Sequence, residues 1–183
     1  MVLLDTSVLA HLLFPTGQVI IDNATGHPVT YCQERLQHFV QTHQKTKIVI
    51  AAPSFAEFLV HAGERREDVI QILKGTSAFK IVPFDEVCAL ECAMLEQEAR
   101  VNGGKRGAST APWQKVKVDR QILAIALVHN VSAIYTDDTS LKALSTELGL
   151  PALGIADMPL PDSSRQHKLD LPPPNADTPQ AWS

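Results

Sequence analysis

The chain has 183 residues, 45% apolar and 20% charged, with a formal net charge of −4. This fits one globular domain with a real hydrophobic core. It excludes a uniformly basic nucleic-acid binder, and no apolar run is long enough to span a bilayer.

In chain order, residues 1–4 read as a strand and 6–13 as a short helix. The opening MVLLDTSVLAHLL lacks a basic leader and carries Asp5 in its middle, unlike a secretion signal. Residues 14–30 form a loop-rich insertion with a small hairpin expected around Asn23–Gly26. A helix follows over 31–44, then a β-branched strand over 47–52, KIVIAA, with Pro53 opening the next helix. Further on come a helix over 64–73, a strand over 79–82, a helix over 85–100, and the Gly-rich loop NGGKRGAST. A helix over 118–129, a strand over 132–136, a helix over 139–148 and a short strand over 151–155 complete the domain. Strands separated by helices imply parallel pairing, so the expected fold is α/β, with a mostly parallel central sheet flanked by helices. The expected domain is 1–158. Residues 159–183, rich in proline, are expected to form an extended tail.

Four carboxylates stand where such a sheet concentrates function. Asp5 follows the first strand, Glu57 lies in the opening turn of the helix after KIVIAA, Asp119 opens VDRQILAIAL, and Asp137 follows SAIYT. Ligands of open α/β sheets bind outside the carboxyl ends of the strands, so the four converge on one crevice. Each also has a plainer reading. Asp5, Asp119 and Asp137 fit helix N-caps, and Ser54 to Glu57 fits a capping box. Asp119 resists that reading best, because it shares a stripe with Leu123 and Ala126 in a helix apolar nearly all round. No arginine set offsets four clustered acids, whereas a hard divalent cation such as Mg²⁺ or Mn²⁺ removes their repulsion.

The stretches LLDTSVLAHLL, IAAPSFAEFLVHA, KVDRQILAIALVHN and AIYTDDTSLKAL, in that order over residues 1–148, resemble a PIN-domain nuclease. The resemblance is to the toxin of bacterial VapBC-type toxin–antitoxin pairs. It implies a Mg²⁺- or Mn²⁺-dependent ribonuclease with Asp5, Glu57, Asp119 and Asp137 as acidic quartet, supported by Thr6, Ser7, Thr136 and Asp138. It also implies a small antitoxin partner and a homodimer. In the expected chemistry Asp5, Asp119 and Asp137 hold the metal, while Glu57 is a second-site ligand or general base. The insertion 14–30 and the tail depart from the family's short form.

Lys105, Arg106, Lys115, Lys117 and Arg120 crowd one stretch, making it a candidate RNA-contacting segment; Trp113 is a candidate base-stacking platform. The alternative is a solvated loop with Trp113 packed on the body. GGKRGAST is no P-loop, since Arg106 follows Lys105 and no strand leads into it. The seven histidines show no ligand spacing, and none is assigned to catalysis. Cys32, Cys88 and Cys92 lack C-x-x-C spacing, which points to a reducing cytoplasm without disulfides or structural zinc. Two rival readings remain: a non-catalytic PIN-like binding module, and an Asp-nucleophile phosphatase. The phosphatase usually needs an acid where Ser7 stands.

Overall fold

The structure, a computed structural model, describes residues 1–15 and 19–165. Five strands form one sheet: β1 (Val2–Leu4), β2 (Ile48–Ala51), β3 (Phe79–Val82), β4 (Ile134–Tyr135) and β5 (Ala152–Leu153). Their order is β3-β2-β1-β4-β5 and every pairing is parallel. The register sets Leu3 beside Val49 on one side and beside Ile134 on the other. The chain builds outward from β1 to β3, then returns to the other flank of β1 for β4. The connection reverses between β1 and β4, the kind of switch point at which a crevice opens beyond the strand ends.

Both faces of the sheet are covered, which is why its strands are continuously apolar rather than alternating, apart from the exposed Lys80 on the edge strand β3. Val2, Leu4, Ile48 and Ile50 face one core with Phe39 and Phe58. Those rings come from the helices α2 (Cys32–His43) and α3 (Ala52–Ala62). Leu3, Val49, Ala51 and Ile134 face the other core, filled by Ile122 to Ala126 of α6 (Trp113–Val128). The remaining helices are α1 (Thr6–Leu13), α4 (Arg66–Gly75), α5 (Glu86–Val101), α7 (Thr139–Glu147) and α8 (Asp162–Arg165). Leu123 is fully buried in the second core. Leu123→Ala is expected to destabilise the fold by about 2–5 kcal/mol, read by chemical denaturation.

Several boundaries differ from expectation. The helix expected over 118–129 begins five residues earlier, at Trp113, directly after Pro112. Its first turn buries only Val116 and half-buries Trp113, leaving Gln114, Lys115 and Lys117 exposed, so its sequence resembles a polar loop. The helix expected over 64–73 is α4 over 66–75, and only its first two expected residues fall instead in a 3-10 turn, Gly63–Arg65, that leads into it. The hairpin near Asn23 reduces to one antiparallel bridge, Ile21 with Pro28. Asp22 closes it by accepting from the Ala24 N–H (2.9 Å) and the Thr25 hydroxyl (2.8 Å). Residues 166–183, most of the expected tail, and His167 with them, lie outside the described residues, as do 16–18 of the insertion. Among the described residues no helix is long and apolar enough to cross a membrane, and the three cysteines are free.

Candidate active site

Asp5 leaves β1 at the switch point and is 6% exposed. It stands at the N-cap position of α1, yet its side chain makes no cap hydrogen bond. Three hydroxyls point at its carboxylate instead. Ser54 donates to Oδ1 at 3.0 Å, Thr136 to Oδ2 at 2.9 Å, and Ser7 lies 3.3 Å from Oδ2. These donors arrive from α3, from the end of β4 and from α1, so the carboxylate ties three elements together. The backbone N–H of Asp137 donates to the Ser7 hydroxyl (3.0 Å), and that of Asp138 to the Thr136 hydroxyl (3.0 Å).

Glu57 is likewise free of a capping duty. Helix α3 starts at Ala52 behind an Ala51 N-cap, so Ser54 lies inside the helix and closes no capping box. The Thr6 hydroxyl sits 2.9 Å from Glu57 Oε2 and 3.0 Å from the Ser54 carbonyl. Its single proton serves one acceptor at a time. Glu57 itself is exposed, open to a ligand.

Asp119 occupies the second turn of α6 rather than its start, and is 2% exposed. Burial pushes its carboxyl above the ordinary carboxylate range, against the pull of Ser140 and Lys115. Ser140 donates to Oδ2 at 2.7 Å and Lys115 Nζ lies 3.3 Å from Oδ1. The same ammonium is 2.9 Å from Asp138 Oδ2. For Asp138, burial works upward, but the hydrogen bonds from Lys115 and the Leu141 N–H prevail and hold its carboxyl low. Burial works to lower the Lys115 ammonium, and Asp138 with Asp119 raises it above the ordinary lysine value.

Asp137 does not join this group. Its Oδ1 accepts from the Ile155 N–H at 3.3 Å and lies 3.9 Å from Lys142 Nζ. A Cβ on Gly154 would stand 2.3 Å from that oxygen, so the carboxylate is packed against the end of β5. Its Oδ2 is buried with no hydrogen-bond partner among the described residues. The acid that enters the crevice from this loop is Asp138. Extended backbone alternates sides, so Thr136, which reaches Asp5, shares its side with Asp138 rather than with Asp137. That two-residue period was the available signal.

Asp5, Glu57 and Asp138 line one concavity of about 440 Å³, together with Ser7, His11 and His61. The two histidines were not selected by spacing, because they come from separate helices and meet only in the fold. Asp119 is linked to the concavity through Lys115. Residues 2–147 match the PIN domain family model. The chain belongs to the PIN domain family.

Solved structures agree with this fold. This PIN domain superposes on FitAcB from Neisseria gonorrhoeae with a TM-score of 0.55 at 21% identity, covering 85% of this chain and 98% of that one. DNA-bound VapBC from Salmonella typhimurium gives 0.54 at 12% identity, with 84% and 97% covered. VapBC2 from Rickettsia felis, bound to a fragment of promoter DNA, gives 0.53 at 13% identity, with 84% and 98% covered. No curated protein matches the sequence.

The basic segment of this PIN domain divides. Lys105 and Arg106 line an open concavity of about 1190 Å³ beside α7, with Lys142, which sequence reading missed. Lys115 is committed to Asp119 and Asp138. Lys117 is exposed on α6. Arg120 is only 3% exposed, which corrects its assignment as an RNA contact. Its guanidinium lies 5.5 Å from the Trp113 ring centroid, and Lys105 Nζ lies 5.1 Å from the same centroid. Trp113 is half-buried against the second core and engaged by cations, so it is no open platform for a base.

The donor set suits a hard divalent ion. No three His, Cys, Asp or Glu groups among the described residues stand close enough to enclose a metal by themselves. Mg²⁺ does not require that, since it typically takes one or two carboxylates and keeps several waters. The Lys115 ammonium between Asp119 and Asp138 marks a point that demands positive charge.

Proposed function

We propose that this chain is a divalent-metal-dependent endoribonuclease, the toxin of a toxin–antitoxin pair. The observation that carries the reading is the Asp5 carboxylate, held by three hydroxyls at the switch point and sharing its concavity with Glu57 and Asp138. Asp5 and Asp138 would hold the metal, with Asp119 as the buried acid behind them. Mg²⁺ or Mn²⁺ held by Asp5 and Asp138 would supply Lewis-acid activation of a water and of a phosphoryl oxygen.

The chain's own groups do the rest. Ser54, Thr136 and Ser7 fix the Asp5 carboxylate in one orientation, so no reorganisation is needed when a phosphate arrives. Glu57, exposed and oriented by Thr6, accepts the proton of the attacking water. Lys115 balances the charge on Asp119 and Asp138. The likeness to the FitAcB and VapBC structures supports an antitoxin partner; the family resemblance supports a homodimer and restraint of this cleft by that partner, and the free cysteines support action in the cytoplasm.

The test is cleavage of a labelled RNA by the purified chain, beside a phosphatase substrate. Cleavage is expected with Mn²⁺ or Mg²⁺, to vanish with EDTA, and to return on adding metal in excess. Hydrolysis of the phosphatase substrate alone would turn the assignment to phosphomonoesters. Silence on both, with every divalent ion tried, would favour a non-catalytic binding module.

A further inference from the structure

Arg120 carries an unbalanced charge inside the helical layer formed by α5, α6 and α7. It is 3% exposed, and its Nη1 is buried with no hydrogen-bond partner among the described residues. None of the ion pairs among the described residues includes it. Its neighbours compensate poorly. The Trp113 ring centroid lies 5.5 Å away, near the outer limit of about 6 Å for a cation–π contact. Burial, helped by Glu96, pushes the Cys92 thiol up against the pull of Arg120, so the nearby sulfur stays neutral. An arginine cannot shed its proton, so a buried guanidinium without a counter-charge is costly.

The same side chain lines a cavity of about 110 Å³. Leu95, Leu123, Leu144 and Leu148 supply its apolar walls. The exposed Glu98, Asn102 and Glu147 also line it and mark the side open to solvent. We propose that this cavity binds a short aliphatic carboxylate, its acid group on the Arg120 guanidinium and its hydrocarbon end against the leucines. The cavity shares no lining residue with the acidic concavity, and the inference does not depend on the nuclease reading.

Size, charge and polarity each narrow the occupant. A cavity of about 150 Å³ takes benzene, so this smaller one suits about four or five heavy atoms, as in acetate or propionate. The guanidinium presents a planar fork of N–H donors that matches a carboxylate. Glu147 does not fill that role, since its Oε2 accepts from the Ala108 N–H at 2.8 Å. With Glu98 beside it, Glu147 also penalises a second negative charge, which disfavours a dianion such as phosphate above neutral pH. Four leucines leave a hydroxylated acid with unpaired polar groups, whereas a methyl or ethyl end displaces water from them.

Trp113 stands beside the guanidinium and serves as a reporter. In the full chain, Trp182→Phe leaves Trp113 as the single tryptophan. Titrating this protein with sodium propionate at constant ionic strength is expected to change its emission saturably, with a midpoint on the order of a millimolar. At ten times that midpoint the Tm is expected to rise by about 3–6 °C. Arg120→Met removes the charge, keeps the length and suits the leucine walls, so it is expected to fold and to lose both responses. Ala99→Leu fills the cavity from α5 while keeping Arg120, and is expected to weaken propionate about tenfold or more.

No saturable response in the folded chain would overturn the site. So would a response that survives both variants, which would place propionate elsewhere. Equal binding of propionamide would show that the cavity reads the hydrocarbon and not the charge. Phosphate or chloride saturating at the same or lower concentration would replace the carboxylate with an inorganic anion. Propionate binding that appears only after Glu98→Gln would make Glu98 the counter-charge of Arg120, and the ligand would fall with it.

Discussion

Asp5→Asn is expected to lower metal-dependent RNA cleavage by on the order of 10³-fold, since a metal–carboxylate interaction of several kcal/mol is worth about one decade per 1.4 kcal/mol. The substitution preserves shape and removes charge. The hydroxyls of Ser54, Thr136 and Ser7 now donate to the Asp5 carboxylate, and each carries lone pairs that accept from an amide after a simple rotation. Stability therefore changes by no more than about 1 kcal/mol. Cleavage of labelled RNA and thermal unfolding of the same preparation read the two quantities together. Full activity in a folded Asp5→Asn protein, with contaminating nuclease excluded, would remove Asp5 from the site.

The second large effect separates two adjacent acids. Asp138→Asn is expected to cost on the order of 10²-fold or more in cleavage, because Asp138 lines the same concavity as Asp5 and Glu57 and pairs with Lys115. Asp137→Asn is expected to cost less than about tenfold, because that carboxylate is turned toward Ile155 and Gly154. It is also a half-buried carboxylate whose Oδ2 is buried without a partner among the described residues, and burial pushes its carboxyl above the ordinary range. Its removal thus acts on folding more than on chemistry. Mn²⁺ binding by calorimetry gives an independent reading: Asp138→Asn weakens it and Asp137→Asn leaves it. The opposite pattern would restore Asp137 as the ligand.

Much of the fold was legible because apolar strand runs and helical periodicity are local properties. Strand β3 and helix α1 fall on the residues expected, and the parallel sheet follows from alternation of strands with helices. The early start of α6 was hidden, since a first turn with one buried valine, after a proline and a Gly-rich run, carries the composition of a loop. Asp5 and Glu57 were found because strand ends and following helix starts gather on one sheet edge. Their freedom from capping was not legible, because a cap depends on which residue the helix begins with. His11, His61 and Lys142 escaped notice for a different reason. Each is one polar residue on a helix, and only packing of that helix against others turns it toward a shared concavity.

The four-acid pattern shows where the two levels divide. By itself the sequence determined that acids follow the first and fourth strands, and that one carboxylate sits in the apolar stripe of a long helix, because order along the chain and burial periodicity are written residue by residue. Only the tertiary structure decided that Asp138 and not Asp137 faces Asp5, that Asp119 reaches the cleft through Lys115, and that Arg120 is buried under Trp113. The physical reason is direction. A side chain's heading is fixed by the pleat, by the helix start and by neighbours many residues away, and a shift of one position in an extended segment sends it to the opposite side.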